Sequence, residues 1–170
     1  GKTVLLKILV GLYGPTSGIV WYDDVNFTSL DKKKVRDIRM SVGMLFQGTA
    51  LFDSMTVEEN IRFPMDMFTN KTHKEKLDRV NYCLERVNLT GVNQKYPSQL
   101  SGGMQKRAGI ARAMALDPSI LFLDEPSSGL DPITAASLDA TIRRLSENLG
   151  VTFVIVTHDL GSVFVATDRV

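Results

Sequence analysis

Apolar positions along the chain follow two rhythms. Val4, Leu5, Leu6, Ile8, Leu9 and Leu12 crowd one short segment that Gly11 and Gly14-Pro15 bring to a stop, which predicts a helix starting at Lys2 and packed on a sheet. Gly18 to Phe27 reads as a strand pair broken at Asp23-Asp24, and Ser41 to Phe46 as a short apolar strand. From Phe52 to Leu89 the rhythm turns helical, with Leu77, Val80, Leu84 and Val87 at three- and four-residue spacing, so a helical insertion is predicted there. Ile120 to Leu123 and Phe153 to Val156 are continuous apolar runs flanked by turn residues, the pattern of strands buried on both faces of a parallel sheet. Between them Asp131 can cap, and Pro132 can open, a helix carrying Ile133, Leu138, Ile142, Leu145 and Leu149 and ending at Gly150. A strand, helix, strand unit of this kind crosses over right-handed in nearly all cases, and the whole reads as α/β. No repeat, linker or low-complexity tract interrupts it.

Composition narrows the possible roles. With 170 residues the chain matches one domain, and 44% hydrophobic against 23% charged residues is ordinary for a folded soluble unit. Lys and Arg total 20 against 19 for Asp and Glu, so no overall field favours a polyanion, and a nucleic-acid partner is not expected. The single cysteine, Cys83, has no internal disulfide partner and no secretory signal opens the chain, which together point to a reducing, cytoplasmic setting. No apolar stretch approaches the roughly 20 residues of a membrane-spanning helix, so any link to a membrane is expected to run through a partner. The chain opens at Gly1-Lys2-Thr3 without a Met and stops at Asp168-Arg169-Val170 just after a strand and a helical start, and is expected to be truncated at both ends.

Three segments carry candidate chemistry. Gly1, Lys2 and Thr3 at a helix start suit the close of a phosphate loop, where backbone N–H groups and the positive helix end hold phosphate, Lys reaches its oxygens and Thr offers magnesium a hydroxyl. Alone, the tripeptide reads more readily as a helix start with a solvated lysine. Asp124-Glu125 closes a buried strand, where the first acid can hold magnesium and the second can orient and deprotonate water. A pair of acids can also simply mark where a strand meets solvent. Leu100-Ser101-Gly102-Gly103-Met104-Gln105-Lys106-Arg107 is the most specific signal. Ser101 can cap a helix whose two glycines leave its N–H groups open to an anion, giving the chain a second phosphate-type helix start.

This last run resembles the signature motif of ABC ATPases, and the other elements of that family stand in its order. Gln47, after Val42 to Phe46, looks like the Q-loop glutamine that senses magnesium; Ser127-Ser128-Gly129-Leu130-Asp131 resembles the D-loop; His158, in Val156-Thr157-His158-Asp159, resembles the switch histidine that contacts the γ-phosphate. The resemblance implies a P-loop NTPase of ABC type: a mostly parallel sheet flanked by helices, with an inserted α-helical subdomain. It places a RecA-like core at about 1–50 and 117–170 and the helical subdomain at about 51–116. It implies ATP and Mg2+ as ligands, Glu125, His158 and Gln47 as catalytic residues, and Thr3, Gln47 and Asp124 around the metal. Nucleotide contacts fall to Gly1, Lys2, Thr3, Ser101, Gly102, Gly103 and Asp131, with hydrolysis only between two paired ATPase domains, as in a homodimer. Val4 departs from the family where a second Ser or Thr is common, and Met104 where Gln is common; neither removes a group the chemistry requires.

Within the family, Leu51 to Ile61 followed by Phe63-Pro64, with Met104 and Asp131-Pro132-Ile133-Thr134, is similar to the ATPase subunits of Mla-type phospholipid transporters. That resemblance implies an integral membrane permease and an MCE-type lipid-binding protein as partners, and a peripheral position on the inner face of the cell membrane. Phe52, Met55, Phe63, Met65, Met67 and Phe68 supply flexible apolar side chains that suit either a docking surface for a permease helix or the core of the helical subdomain. A soluble ABC ATPase of DNA repair or translation is the alternative. The segment between Gln47 and Ser101 lacks the sustained heptads of a repair-type coiled coil.

Overall fold

The computed structural model describes residues 1–170, the side chain of Lys32 excepted. Its centre is a parallel sheet of β3 (Val42–Leu45), β4 (Ile120–Asp124) and β5 (Thr152–Val156), in that spatial order. Leu45 lies opposite Leu123 and Asp124 opposite Val156, so all three strands end at one edge. Strand alternation sorts the side chains by face. Val42, Met44, Ile120, Phe122, Val154 and Val156 pack with Leu6 and Val10 beneath α1 (Lys2–Leu9). Leu45, Leu121, Leu123, Phe153 and Ile155 belong to a larger cluster on the other face, against α5 (Gly102–Ala113) and α6 (Pro132–Leu149).

A hairpin of β1 (Trp21–Tyr22) and β2 (Val25–Asn26) follows α1, turning at Asp23 as its sequence predicts. Then comes α2 (Lys32–Met40), which the apolar rhythm does not reveal because the segment is mostly charged. Its start is set by Asp31, whose carboxylate accepts from the N–H groups of Lys33 and Lys34. The predicted helical insertion resolves into α3 (Val57–Phe68) and α4 (His73–Arg86), each opened by a Thr-Glu capping box, Thr56 with Glu59 and Thr72 with Glu75. Buried apolar residues run without a break from the sheet through α5 into these helices: Leu45 and Leu121, then Ile110 and Ala111, then Ile61, Val80 and Leu84.

Asp131 caps α6 through the Thr134 N–H and Gly150 ends it in the left-handed conformation, with Leu138, Ile142 and Leu145 buried. Ile133 departs from the expected apolar face: it is 84% exposed, since the first turn of α6 projects past the core. β5 departs as well. It is an edge strand whose residues from Phe153 to Val156 are only half-buried, while the central β4 is covered on both faces. A short helix, α7 (Leu160–Ala166), follows β5 and packs on α6.

Candidate functional site

Parallel strands deliver their chain ends to one edge, the usual place for a ligand in an α/β sheet. Here that edge gathers Gln47 after β3, Asp124 and Glu125 at the end of β4, Thr157 and His158 after β5, and the start of α1. The Thr3 hydroxyl donates to Asp124 Oδ1 at 3.2 Å, and Lys2 Nζ donates to the Thr157 carbonyl at 2.5 Å. His158 Nδ1 lies 2.7 Å from Glu125 Oε2. Asp124 is 1% exposed, whereas the His158 ring stands mostly in solvent. Gly1 holds the N-cap of α1, its carbonyl accepting from Leu5 N–H.

Glu125 has φ of 51°, a left-handed conformation uncommon outside glycine, and such residues cluster where function over-determines the backbone. Its N–H donates to the Val156 carbonyl at 2.8 Å and its own carbonyl accepts from Lys106 Nζ at 3.4 Å. In the sequence Lys106 looks like any solvated lysine on a capped helix. In the fold it is 6% exposed, with its pKa drawn down by burial and pulled partly back by Glu125 and Asp124.

Ser101 Oγ accepts from Met104 N–H at 3.3 Å, so Ser101 caps α5 as expected and leaves Gly102 open to solvent beside it. Gly103 is buried: a Cβ there would come within 2.4 Å of Thr134 Cγ2, so only glycine lets α5 and α6 approach this closely. Asp131, on the neighbouring α6 start, has its carboxyl held below the usual range by its hydrogen bonds to Thr134. Among the described residues, no hydrogen bond joins Ser101, Gly102, Gly103 or Asp131 to Lys2, Thr3, Asp124 or Glu125. The molecule thus presents two separate sets, one at α1 and the sheet edge and one at α5 and α6. Gln47 is exposed at the first of these, without a side-chain partner among the described residues. Beyond it, Thr49 and Ala50 take left-handed backbones whose carbonyls accept from Arg112, another residue the sequence did not single out.

The first set suits a magnesium ion carried in with phosphate. Mg2+ is held through one or two carboxylates, the rest of its shell being water and phosphate oxygens. Asp124 and Thr3 offer one buried carboxylate beside one hydroxyl, and no group of three or more His, Cys, Asp or Glu that could cage a metal occurs among the described residues. The paired Glu125 and His158 add a carboxylate and an imidazole that can take and pass on a proton.

Three comparisons bear on the site. The sequence profile of the family described as ABC transporter matches residues 1–128. The methionine import ATP-binding protein MetN 2 of Rhodococcus jostii is 41% identical over 170 residues, spanning 100% of this chain and 50% of its own length. The probable ribonucleotide transport ATP-binding protein mkl of Mycobacterium leprae is 42% identical over 160 residues, spanning 94% of this chain and 46% of its own. The chain therefore spans about half the length of the curated relatives it matches. Among solved structures, the ATP-binding cassette MJ0796, in a dimeric post-hydrolysis state bound to ADP and Pi, aligns over 95% of this chain and 72% of its own. Its TM-score is 0.84 at 34% identity.

Proposed function

The chain belongs to the ABC transporter family, and on that premise we propose that it is the ATP-hydrolysing part of a transporter, working when two such domains face one another. The observation that carries the reading is the separation of two anion-type helix starts, Lys2-Thr3 on α1 and Ser101-Gly102 on α5, where one nucleotide needs a single such start from each chain. In this reading the α1 start and Lys2 of one chain take the phosphates of ATP, and Ser101 to Gly103 of the partner close over them. Thr3, Asp124 and Gln47 hold the magnesium, which neutralises charge on the phosphate oxygens when bound. Glu125 orients water and accepts its proton, with His158 against it. Asp131 caps α6 and fixes the approach of the closing chain. Of the known proteins above, MJ0796 supports this reading as a dimer bound to ADP and Pi.

Coupling to a permease fits the groove of about 440 Å³ between β3 and α3, lined by Phe46, Phe52, Phe63, Pro64, Phe68 and Arg112. Phe52, Met67 and Phe68 are exposed and Met55 and Phe63 half-buried, which supports docking at these positions; Met65 is fully buried and fills the core instead. No helix among the described residues is long and apolar enough to cross a membrane, so contact with the inner face of the cell membrane runs through that permease in this reading. For cargo, the relatives favour a small solute: one is named for methionine import and the other for probable ribonucleotide transport. Phospholipid cargo with an MCE-type partner is the second reading, supported by the Leu51 to Pro64 resemblance, a segment that lies on the permease side rather than at the nucleotide.

The test of the paired site is Ser101→Arg in the whole protein. ATP binding to the single subunit is expected to persist while ATP-driven dimerisation and turnover are lost; retained hydrolysis overturns the sandwich. Stimulation of the reconstituted transporter's ATPase by methionine, a ribonucleotide or phospholipid vesicles decides the cargo.

A further inference from the structure

A buried polar cluster lies behind the reacting residues. Asp139, on the inner face of α6, is 4% exposed, and its Oδ2 accepts from Ser162 Oγ at 2.6 Å. Ser127 Oγ lies 3.2 Å from that same hydroxyl, and so does Asp159 Oδ2. A hydroxyl carries one proton and two acceptor lone pairs. With the proton given to Asp139 at the shortest distance, Ser162 accepts from Ser127, and the bonds run in one direction: Ser127 to Ser162 to Asp139. Asp159 uses its other oxygen to cap α7, accepting from Gly161 N–H at 2.9 Å.

The cluster closes a ring through the site. Ser127 stands two residues after Glu125 and Ser162 four after His158, while Glu125 and His158 are themselves paired at 2.7 Å. One hydroxyl thus ties both arms of the pair together at their roots. We infer that Asp139 is a positioning residue for ATP turnover, acting through Ser162 to hold the His158 turn in register with the segment after Glu125. This rests on the reading of Glu125 and His158 given above.

Stability alone does not account for a carboxylate here. Asp139 Oδ1 is buried without a hydrogen-bond partner among the described residues, and such a group costs free energy that an apolar residue would avoid. Burial raises the Asp139 pKa, only partly offset by Ser162, so the ionised form is held against its solvation preference. An open groove of about 750 Å³ borders Glu125, Ser127, Asp139, His158 and Ser162, so the reacting pair faces solvent on one side and the buried hydrogen bonds on the other.

The experiment measures ATP turnover and ATP bound per chain in the whole protein for Asp139→Ala, Ser162→Ala, their double, and Asp139→Asn. Both alanine variants are expected to lower kcat by about ten- to a hundredfold, as misplaced reacting groups do, with KM for ATP and binding stoichiometry unchanged because Lys2 and Thr3 are untouched. The double should lose no more than the worse single. Asp139→Asn keeps an acceptor for Ser162 and should recover most of the rate. Wild-type kcat in Asp139→Ala, a loss that merely tracks lost ATP binding, or an Asn variant as slow as the Ala variant each overturns the proposal. Glu125→Gln, run in parallel, separates the two readings: if it turns over normally the site assignment itself fails. If it is inactive while Asp139→Ala is normal, only the positioning role fails.

Discussion

At the scale of single residues, the charges that matter here are the ones taken out of water. Asp139 binds its proton more tightly folded than unfolded, because burial raises its pKa above the ordinary 3.8. Its contribution to stability is therefore fully present below that value and is lost as pH rises towards the raised one. Asp139→Asn removes this titration, so the variant should lose less stability than the parent as pH rises above about 4. Parallel Tm profiles would contradict it. Lys106 is the reverse case, a cation whose pKa burial draws down, and both sit behind Glu125 rather than beside the nucleotide residues that the motifs name.

Among the elements, the loop before α3 depends on one side chain. Asn60 is fully buried and bonds the Phe52 N–H at 2.8 Å and the Phe52, Met55 and Thr56 carbonyls at 3.0, 3.1 and 3.0 Å. Asn60→Ala strands several of these groups, and unsatisfied buried polar groups cost about 1–3 kcal/mol each before water or relaxation intervenes. A net loss of roughly 3 kcal/mol is expected, read as a lower urea midpoint at unchanged slope; a loss near zero would mean that the loop is held by its apolar contacts instead. The Thr56 and Thr72 capping boxes are legible in the sequence as patterns, since each needs only residues three apart, and the second one opens α4 after a break from α3. The wholly polar run from Thr69 to Lys76, between Phe68 and Leu77, marks that break, and a cap is decided within that run.

For the whole molecule, the groove along β3 and α3 is where, under the proposed function, nucleotide state would reach a membrane partner. Its far wall is tied to the loop after Gln47 by Arg112, which donates to the Thr49 and Ala50 carbonyls and lies over the Phe52 ring. Substituting Phe63→Glu, half-buried in this groove, or Met55→Lys, half-buried just before α3, should leave ATP binding intact and uncouple ATPase stimulation from the proposed permease. The check is ATP titration beside turnover in the reconstituted complex. An unfolded product would place these residues with Met65 in the core.

Local rules settled what needs only near neighbours. The helix from Lys2, the caps at Ser101 and Asp131, the strand before Asp124 and the order of motifs along the chain follow from spacing, because a cap or a strand alternation is decided within a few residues. Tertiary structure decided which faces are covered. Ile133 and β5 look apolar enough for a core and are exposed or half-exposed; Lys106 looks solvated and is buried; the Asp139, Ser162 and Ser127 cluster leaves no periodic trace at all. Burial is a property of partners that arrive from elsewhere in the chain, such as α5 over Glu125 or α7 over Asp139. Spacing along a single element carries no information about which partner will come.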